Sequence, residues 1–328
     1  MNILAYGEVM MRLTAPFYRK LSQIENLEMS FTGTGVNLLS SLALNGYNTE
    51  ILTTLPNNNV GKTAASAIRK LGISDKKISF SGNHIGVYFL ELGYGKRPSE
   101  VTYLNRENSS FGESKLSEED IIRALEGVNV VHICGIALSV SEITRKNAVL
   151  IAQLASSRGI KICFDFNYRP TLNSEKNKSK LIESYTKVLK CSDLVFGSIR
   201  DLRDLMGISG KDESEIIKKF KSQFNIEYFA GTKRHEIDGK KYIDGFIYNQ
   251  EKYFISSKKE IEVLDRIGTG DAFAAGIITG ILDKWDMDYT VEFAITCSEL
   301  AHTTYGDSPV LDKDFVKNYM INKNDLIR

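Results

Sequence analysis

The chain has 328 residues, with 42 Lys and Arg against 41 Asp and Glu and a formal net charge of +1. Charges this evenly balanced exclude the basic footprint of a nucleic-acid binder and the pull of an anionic membrane surface, and they point to a small-molecule ligand. The length is enough for a sizeable core, in one large domain with an appendage or in two domains.

In chain order, residues 3–8 read as a buried strand ending in Gly7-Glu8, and 9–13 continue as a β-rich segment. Residues 16–28 are polar and irregular. Met29-Ser30-Phe31 leads into Thr32-Gly33-Thr34-Gly35-Val36-Asn37, and 38–44 form a helix closed by Asn45-Gly46. A strand over 49–55, a turn over 56–59 and a helix over 62–71 follow. Segments 87–92 and 101–106 then flank a loop of Gly93, Gly95, Lys96, Arg97 and Pro98, which reads as a hairpin rather than a strand–helix–strand unit. Ser117 opens a helix over 119–125. Further strands are expected at 130–133, 160–166, 194–197, 227–230 and 260–264, with helices at 142–158, 176–189, 201–206, 213–224, 272–282, 290–303 and 314–319. This alternation implies an α/β fold with a mainly parallel central sheet and helices on both faces. Segments 9–14, 28–33, 86–92 and 101–106 break the alternation and are expected to form a small second sheet.

The four cysteines, Cys134, Cys163, Cys191 and Cys297, are widely spaced without a Cys-x-x-Cys pair, the pattern of buried free thiols in a reducing compartment. The apolar run at 2–6 is too short for a signal peptide and no stretch reaches transmembrane length, so a cytoplasmic protein is expected.

Asp265-Arg266-Ile267-Gly268-Thr269-Gly270-Asp271 places a glycine-rich turn before an apolar helix rich in small residues. A helix start exposes N–H groups without intrahelical partners and favours negative charge. Glycine lets that backbone approach a phosphate closely. A carboxylate beside bound phosphate is repelled, which leaves two readings of Asp271: a helix N-cap, or a base for a hydroxyl that attacks a phosphoryl group. Gly61-Lys62-Thr63 is not a P-loop, because the position five residues before Gly61 holds Pro56, which has no N–H. Gly33-Thr34-Gly35 lacks the third glycine of a dinucleotide fingerprint. The strand ending in Asp165-Phe166-Asn167-Tyr168-Arg169-Pro170 puts polar groups beyond a carboxyl edge, where open α/β sheets bind ligands. Arg169 there is either an exposed turn residue or a rigid fork for a carboxylate. No His/Cys cluster has zinc spacing.

Asp-x-x-Gly-x-Gly-Asp before a small, apolar helix resembles the C-terminal signature of the ribokinase-like (PfkB) carbohydrate kinases, with Thr269 where alanine is usual. The resemblance covers nearly the whole chain and is strongest to the 2-keto-3-deoxygluconate kinases. It implies a single ribokinase-like domain over 1–328, with lid segments about 9–33 and 86–112 forming a small β subdomain. It implies ATP and Mg²⁺ as cofactors, Asp271 as catalytic base and substrate contact, and Gly268, Thr269 and Gly270 as an anion hole. Gly33 and Asn37 match the family's sugar-binding signature. Asn167 and Arg169 match the Asp-x-Asn-Tyr-Arg segment that meets a sugar carboxylate, and Arg106 on the lid is similar to a second such arginine. Tyr88 and Tyr103 either cover the ligand or pack the lid or a dimer contact. Ser198, Thr232, Lys233 and His302, with Gly268 and Gly270, fall where the family binds ATP. Ser198 and Asp201 stand in place of the usual Asn-x-x-Glu, which makes Asp201 an indirect metal contact. The implied partner, besides a small sugar acid, is a second copy of the chain through the lid; neither nucleic acid nor membrane is expected. The implied reaction is phosphorylation of 2-keto-3-deoxygluconate to its 6-phosphate. A fructokinase or other sugar kinase of this fold, and a sugar-binding regulator without catalysis, stay open as alternatives; intact Gly268, Gly270 and Asp271 weigh against the last.

Overall fold

Short apolar strands alternating with helices build one large sheet. The structure, a computed structural model, describes residues 1–169, 178–249 and 252–322. The elements run β1 (Asn2–Tyr6), β2 (Met10–Ala15), β3 (Glu28–Thr32), α1 (Thr34–Leu44), β4 (Asn48–Leu55), α2 (Asn59–Lys70), β5 (Ile78–Phe80), β6 (Gly86–Glu91), β7 (Glu100–Leu104), α3 (Ser110–Glu113) and α4 (Glu118–Ala124). They continue β8 (Val130–Cys134), α5 (Ile136–Val140), α6 (Glu142–Ser157), β9 (Lys161–Asp165), α7 (Lys178–Leu189), β10 (Leu194–Phe196), α8 (Glu213–Phe224), β11 (Tyr228–Ile237), β12 (Lys240–Asn249), β13 (Lys252–Ile255), β14 (Lys259–Glu260), α9 (Thr269–Leu282), α10 (Met287–Ala301) and α11 (Lys313–Asn322). Pro170 and the first two residues of the helix expected from 176 lie outside the described residues. Among those residues no helix is long and apolar enough to cross a membrane.

The large sheet has the order β13-β12-β11-β10-β9-β8-β1-β4-β5, with β14 also on β12. Every pairing from β11 to β5 is parallel. Side chains alternate across it. Phe164 and Phe166 join Tyr185, Phe220 and Phe229 in one core, while Cys163 joins Val36, Ala274, Ile277 and Ala294 in the other. Burial on both faces requires nearly continuous apolar strands, which is why β1, β8 and β9 were readable from sequence.

The second sheet has the order β3-β2-β6-β7, with β2 and β6 parallel and the outer pairs antiparallel. Its Met10, Tyr88, Leu90 and Leu92 cluster with Tyr18 and with Ile267 of the glycine turn. Strand β7 is exposed along its whole length.

Several expectations need correction. The stretch after 230 holds a long hairpin: β11 runs on to Ile237 and turns at Asp238-Gly239, both at positive φ (51° and 77°), into β12. Asp-Gly between two strands is the signal that marks such a turn. The strand expected over 260–264 is limited to Lys259–Glu260, because the N–H groups of Leu264 and Asp265 donate to the carbonyl of His302 instead of to a strand neighbour. Helix α9 begins at Thr269, three residues earlier than expected. Residues 201–205 form a single π-helical turn. Cys134 and Cys163 are buried, but Cys191 and Cys297 only partly so.

Helix α2 begins at Asn59, capped by the Asn58 side chain, which accepts from the N–H groups of Val60 and Gly61. A Cβ on Gly61 would stand 2.0 Å from the Pro56 carbonyl oxygen. Close packing, not phosphate, therefore calls for this glycine. Gly61→Ala is expected to destabilise the fold by ~1–3 kcal/mol in chemical denaturation while leaving ATP affinity unchanged; a selective loss of ATP binding would restore the P-loop reading.

Candidate active site

The glycine turn takes its shape from three contacts. Gly268 is the N-cap of α9 at φ 83°, and a Cβ there would stand 1.8 Å from the Asp307 carbonyl oxygen. Asp265 Oδ1 accepts from the Ile267 N–H at 3.1 Å. Thr269 Oγ1 donates to the Arg266 carbonyl at 3.0 Å. Gly270 differs from Gly268: nothing lies within 4 Å of where its Cβ would be, so its missing side chain leaves open space at the helix start. Because Gly268 takes the N-cap position, Asp271 sits inside the first turn, and its N-cap reading is set aside.

Asp271 is buried, and Asn37 Nδ2 donates to its Oδ2 at 2.7 Å. Burial pushes its carboxyl well above the usual range; the Asn37 bond pulls it down, Asp165 and Asp307 push it up, and Arg169 pulls it down. Asn37 reaches this point because α1 starts at Thr34, directly behind Gly33. A Cβ on Gly33 would meet the Glu8 carbonyl oxygen at 2.2 Å, so a close backbone approach fixes that glycine. Ser308 Oγ donates to Asn37 Oδ1 at 3.2 Å, which sets the amide so that its nitrogen faces Asp271.

Two functional residues escaped the sequence reading: Arg12 and Asp307. Arg12, on β2, is buried. It donates to Asp265 Oδ2 at 2.7 Å and to Asp307 Oδ1, and its Nε donates to Thr14 Oγ1 at 2.8 Å. Burial alone would lower its pKa; the charges of Asp307 and Asp265 outweigh that and hold it above the ordinary value. Asp307 Oδ2 also accepts from Tyr88 at 2.6 Å and from Thr32 at 2.7 Å. Each inner strand of the second sheet and its β3 edge thus sends one donor to Asp307. The one available signal was a charged residue at an inward position of an apolar strand.

Tyr88 and Tyr103 stand together, ring centroids 5.8 Å apart. The Arg106 guanidinium lies 4.9 Å from the Tyr103 ring and donates to Glu8 Oε2 through Nε (2.9 Å) and Nη2 (2.6 Å). Arg106 is thus brought to the cleft already paired with a buried carboxylate. Cys134, at the end of β8, is buried, and burial, followed by the charge of Asp165, pushes its thiol up to about 12. Asn167, at φ 34°, donates its N–H to Asp165 Oδ1 at 3.1 Å. Arg169 is exposed beyond the end of β9.

On the nucleotide side, Asp201 Oδ2 accepts from both the N–H and the hydroxyl of Ser198, each at 2.7 Å. Asp165 pairs with Phe196 in register, one residue from Gly197. Burial, followed by the charge of Asp201, pushes the Asp165 carboxyl up to about 7. No group of three or more metal-ligating side chains occurs among the described residues. Magnesium needs only one or two carboxylates beside phosphate and water, and Asp165 and Asp201 are oxygen ligands of the kind it takes. Lys233 pairs with Glu213 and lies 5.8 Å from the Phe246 ring. Thr232 is half-buried on the opposite face of β11. His302 is buried, and its Nδ1–H donates to the Ser298 carbonyl at 2.6 Å; burial is the main cause that brings its pKa down to about 4. It is a neutral packing residue.

A glycine turn at a helix start with a buried carboxylate behind it, roofed by a small sheet, defines a phosphoryl-transfer site on an α/β sheet. The family model for pfkB family carbohydrate kinases matches residues 1–314, and the chain belongs to that family. A 2-dehydro-3-deoxygalactonokinase of Haloferax volcanii is 24% identical over 320 residues, 97% of this chain and 96% of the relative. Two solved structures are similar over their length. One, from Enterococcus faecalis and assigned as a 2-keto-3-deoxygluconate kinase, is 45% identical with a TM-score of 0.96, covering 100% of this chain and 99% of that one. The other, 2-dehydro-3-deoxygluconokinase of Thermotoga maritima, is 28% identical with a TM-score of 0.90, covering 97% of each chain.

Removing the Arg12 guanidinium leaves Asp265 and Asp307 buried without their cation. Arg12→Met is expected to lower stability by about 3–5 kcal/mol, with Arg12→Lys recovering part of it, since it restores the charge without the two-armed fork. A loss in Arg12→Met below ~1 kcal/mol in chemical denaturation would show that the pair does not hold the turn.

Proposed function

We propose that this kinase transfers the γ-phosphoryl group of ATP to the terminal hydroxyl of a six-carbon 2-keto-3-deoxy sugar acid, with 2-keto-3-deoxygluconate as the best candidate. The observation that carries the acid preference is the nearness of Arg169 to the base: its charge is felt at Asp271. A sugar whose hydroxyl meets Asp271 has its far end within range of a guanidinium. The names of the three relatives all describe keto-deoxy sugar acids.

In this reading Asp271 takes the hydroxyl proton as the oxygen attacks phosphorus. The amides at the start of α9, opened by Gly268 and left clear by Gly270, receive the charge that develops on the transferred group. Asn37 and Asn167 orient the sugar, and Gly33 brings the backbone close to it. Tyr88 and Tyr103 cover it, and Arg106 presents its face from the second sheet while Glu8 holds it in place. Asp165 and Asp201 would hold a divalent cation, which neutralises the β- and γ-phosphate oxygens when bound. Ser198 and Thr232 line the nucleotide side. The exposed edge strand β7, with Val101, Tyr103 and Leu104 open to solvent, supports a homodimer formed through the second sheet.

A base must be ionised, so turnover rises with pH through the Asp271 pKa. The acid limb of the rate profile is expected above the ordinary carboxylate range, and in Asn37→Ala, which removes the bond that lowers this pKa, it should move to still higher pH. Asp271→Asn should cut turnover by roughly a hundredfold or more with sugar binding retained. Near-normal turnover in Asp271→Asn, or an acid limb near pH 4, would remove Asp271 as the base.

Arg169→Ala should raise the KM for 2-keto-3-deoxygluconate about ten- to a hundredfold, with Arg169→Lys in between, and barely change turnover of fructose. Equal losses on both substrates, or a wild-type preference for fructose, would make Arg169 a loop-positioning residue and the protein a neutral-sugar kinase.

A further inference from the structure

Strand β11 offers two adjacent cations to the nucleotide side, and they face opposite ways. Lys233 stands opposite Asp244 in the β11–β12 register, beside His235, on the face that carries its pairing with Glu213 of α8. Arg234 is on the other face, with Thr232. That face looks toward α9 and α10. Gly245, the partner of Thr232, would put a Cβ 2.6 Å from the Phe273 ring and 3.5 Å from Ile295. Ile243, the partner of Arg234, packs in the same core as Phe273, Ala274 and Ile277.

The same register leads to a second arginine. Ile243 is flanked by Arg234 on one side and by Lys259 of β14 on the other. From β14 the chain runs directly into the glycine turn, where the Arg266 carbonyl is held by Thr269. Arg266 therefore stands at the lip of the turn, on the side where Arg234 emerges. Among the described residues neither arginine has an ion pair or a side-chain hydrogen bond. Loss of water, then the charges of Arg266 and Arg169, lowers the Arg234 pKa, and the buried ring of His302 also feels both Arg234 and Arg266. Like charges gathered without a counter-ion are stable neighbours once an anion lies between them.

We infer that Arg234 and Arg266 form a clamp for the polyphosphate of the nucleotide, and that Lys233, which the motif alone would nominate, does not. The inference rests on the ATP-dependent reading above. Two guanidiniums at the lip of the α9 turn each grip phosphate oxygens with two arms, which a lysine already paired with a carboxylate cannot do.

The test is calorimetric titration of the full chain with ATP, AMP and inorganic tripolyphosphate, for wild type, Arg234→Gln, Arg266→Gln and Lys233→Gln. Both arginines are exposed, so the variants should fold, and a thermal melt checks this. Each arginine variant is expected to weaken ATP and tripolyphosphate about tenfold or more and to leave AMP within twofold. Lys233→Gln should weaken ATP less than either. Equal losses for AMP and ATP, or a larger loss in Lys233→Gln, would overturn the clamp. The two readings separate cleanly. Sugar phosphorylation with an unchanged KM for ATP in both arginine variants sinks the clamp and keeps the kinase. Arginine-dependent tripolyphosphate binding by a chain that phosphorylates no keto-deoxy acid keeps the clamp and sinks the substrate assignment.

Discussion

A buried guanidinium between two buried carboxylates holds this site together. Arg12 belongs to the second sheet, Asp265 to the glycine turn and Asp307 to the loop after α10. Each group would be costly to bury alone, since an unpaired charge in a low-dielectric interior loses its hydration without replacement. Together they satisfy one another, and the arrangement brings three separate stretches of chain to one point. Asp265 then shapes the turn through the Ile267 N–H, and the Asp307 carbonyl occupies the space that only a glycine at 268 leaves open. The position of the amides at the start of α9 therefore depends on a residue more than 250 positions away.

The same contact explains how the small sheet is oriented. Part of that orientation is apolar: Phe31 and Val87 join Ile3, Ala5 and Ile51 in one core, and Met10, Tyr88, Leu90 and Leu92 cluster with Tyr18 and Ile267. Directional polar contacts add to this packing: Arg12, Thr32 and Tyr88 all converge on Asp307. Hydrogen bonds to a charged acceptor are shorter and more directional than apolar packing. Ser308, the next residue, donates to Asn37, and Asn37 donates to Asp271. A displacement of the sheet therefore bears on the group that sets the basicity of Asp271.

The parallel part of the fold was legible because its strands are buried on both faces and read as apolar runs. The glycine turn was legible because its backbone needs are unusual, and Asn37 stood out because asparagine is a poor helix-interior residue. The hairpin of β11 and β12 was missed because the stretch from Lys233 to Lys241 is dominated by charged residues, which local propensity assigns to a loop; pairing between the two strands overrides that preference. Arg12 and Asp307 were missed for a different reason. Each lies in an ordinary local setting, and their partnership is set by tertiary contact across 295 positions, which no periodicity records. Lys233 and Arg234 show the limit of motifs: adjacent residues of the same charge stand on opposite faces of the strand, and Lys233 alone faces Glu213.

The cleft must accept two anions, yet its floor is acidic. Asp165, Asp201, Asp271 and Asp307 all stand there, and the arrangement works because their charges are offset in different ways. Asp307 shares the Arg12 cation with Asp265. Asp165 is pushed toward a neutral form at physiological pH by burial and Asp201. Asp271 is pushed up by burial and held down by Asn37 and Arg169. Arg169 therefore has a second consequence. With no ligand its charge weakens Asp271 as a base, because an adjacent cation favours the ionised form. A substrate carboxylate bound to Arg169 cancels that pull, and the proton affinity of Asp271 rises as the acid substrate settles. A neutral ketose leaves that pull in place and the base weaker. On the reading proposed above, selectivity for an acid has two physical sources, attraction at Arg169 and a stronger base at Asp271, and both come from the same charge.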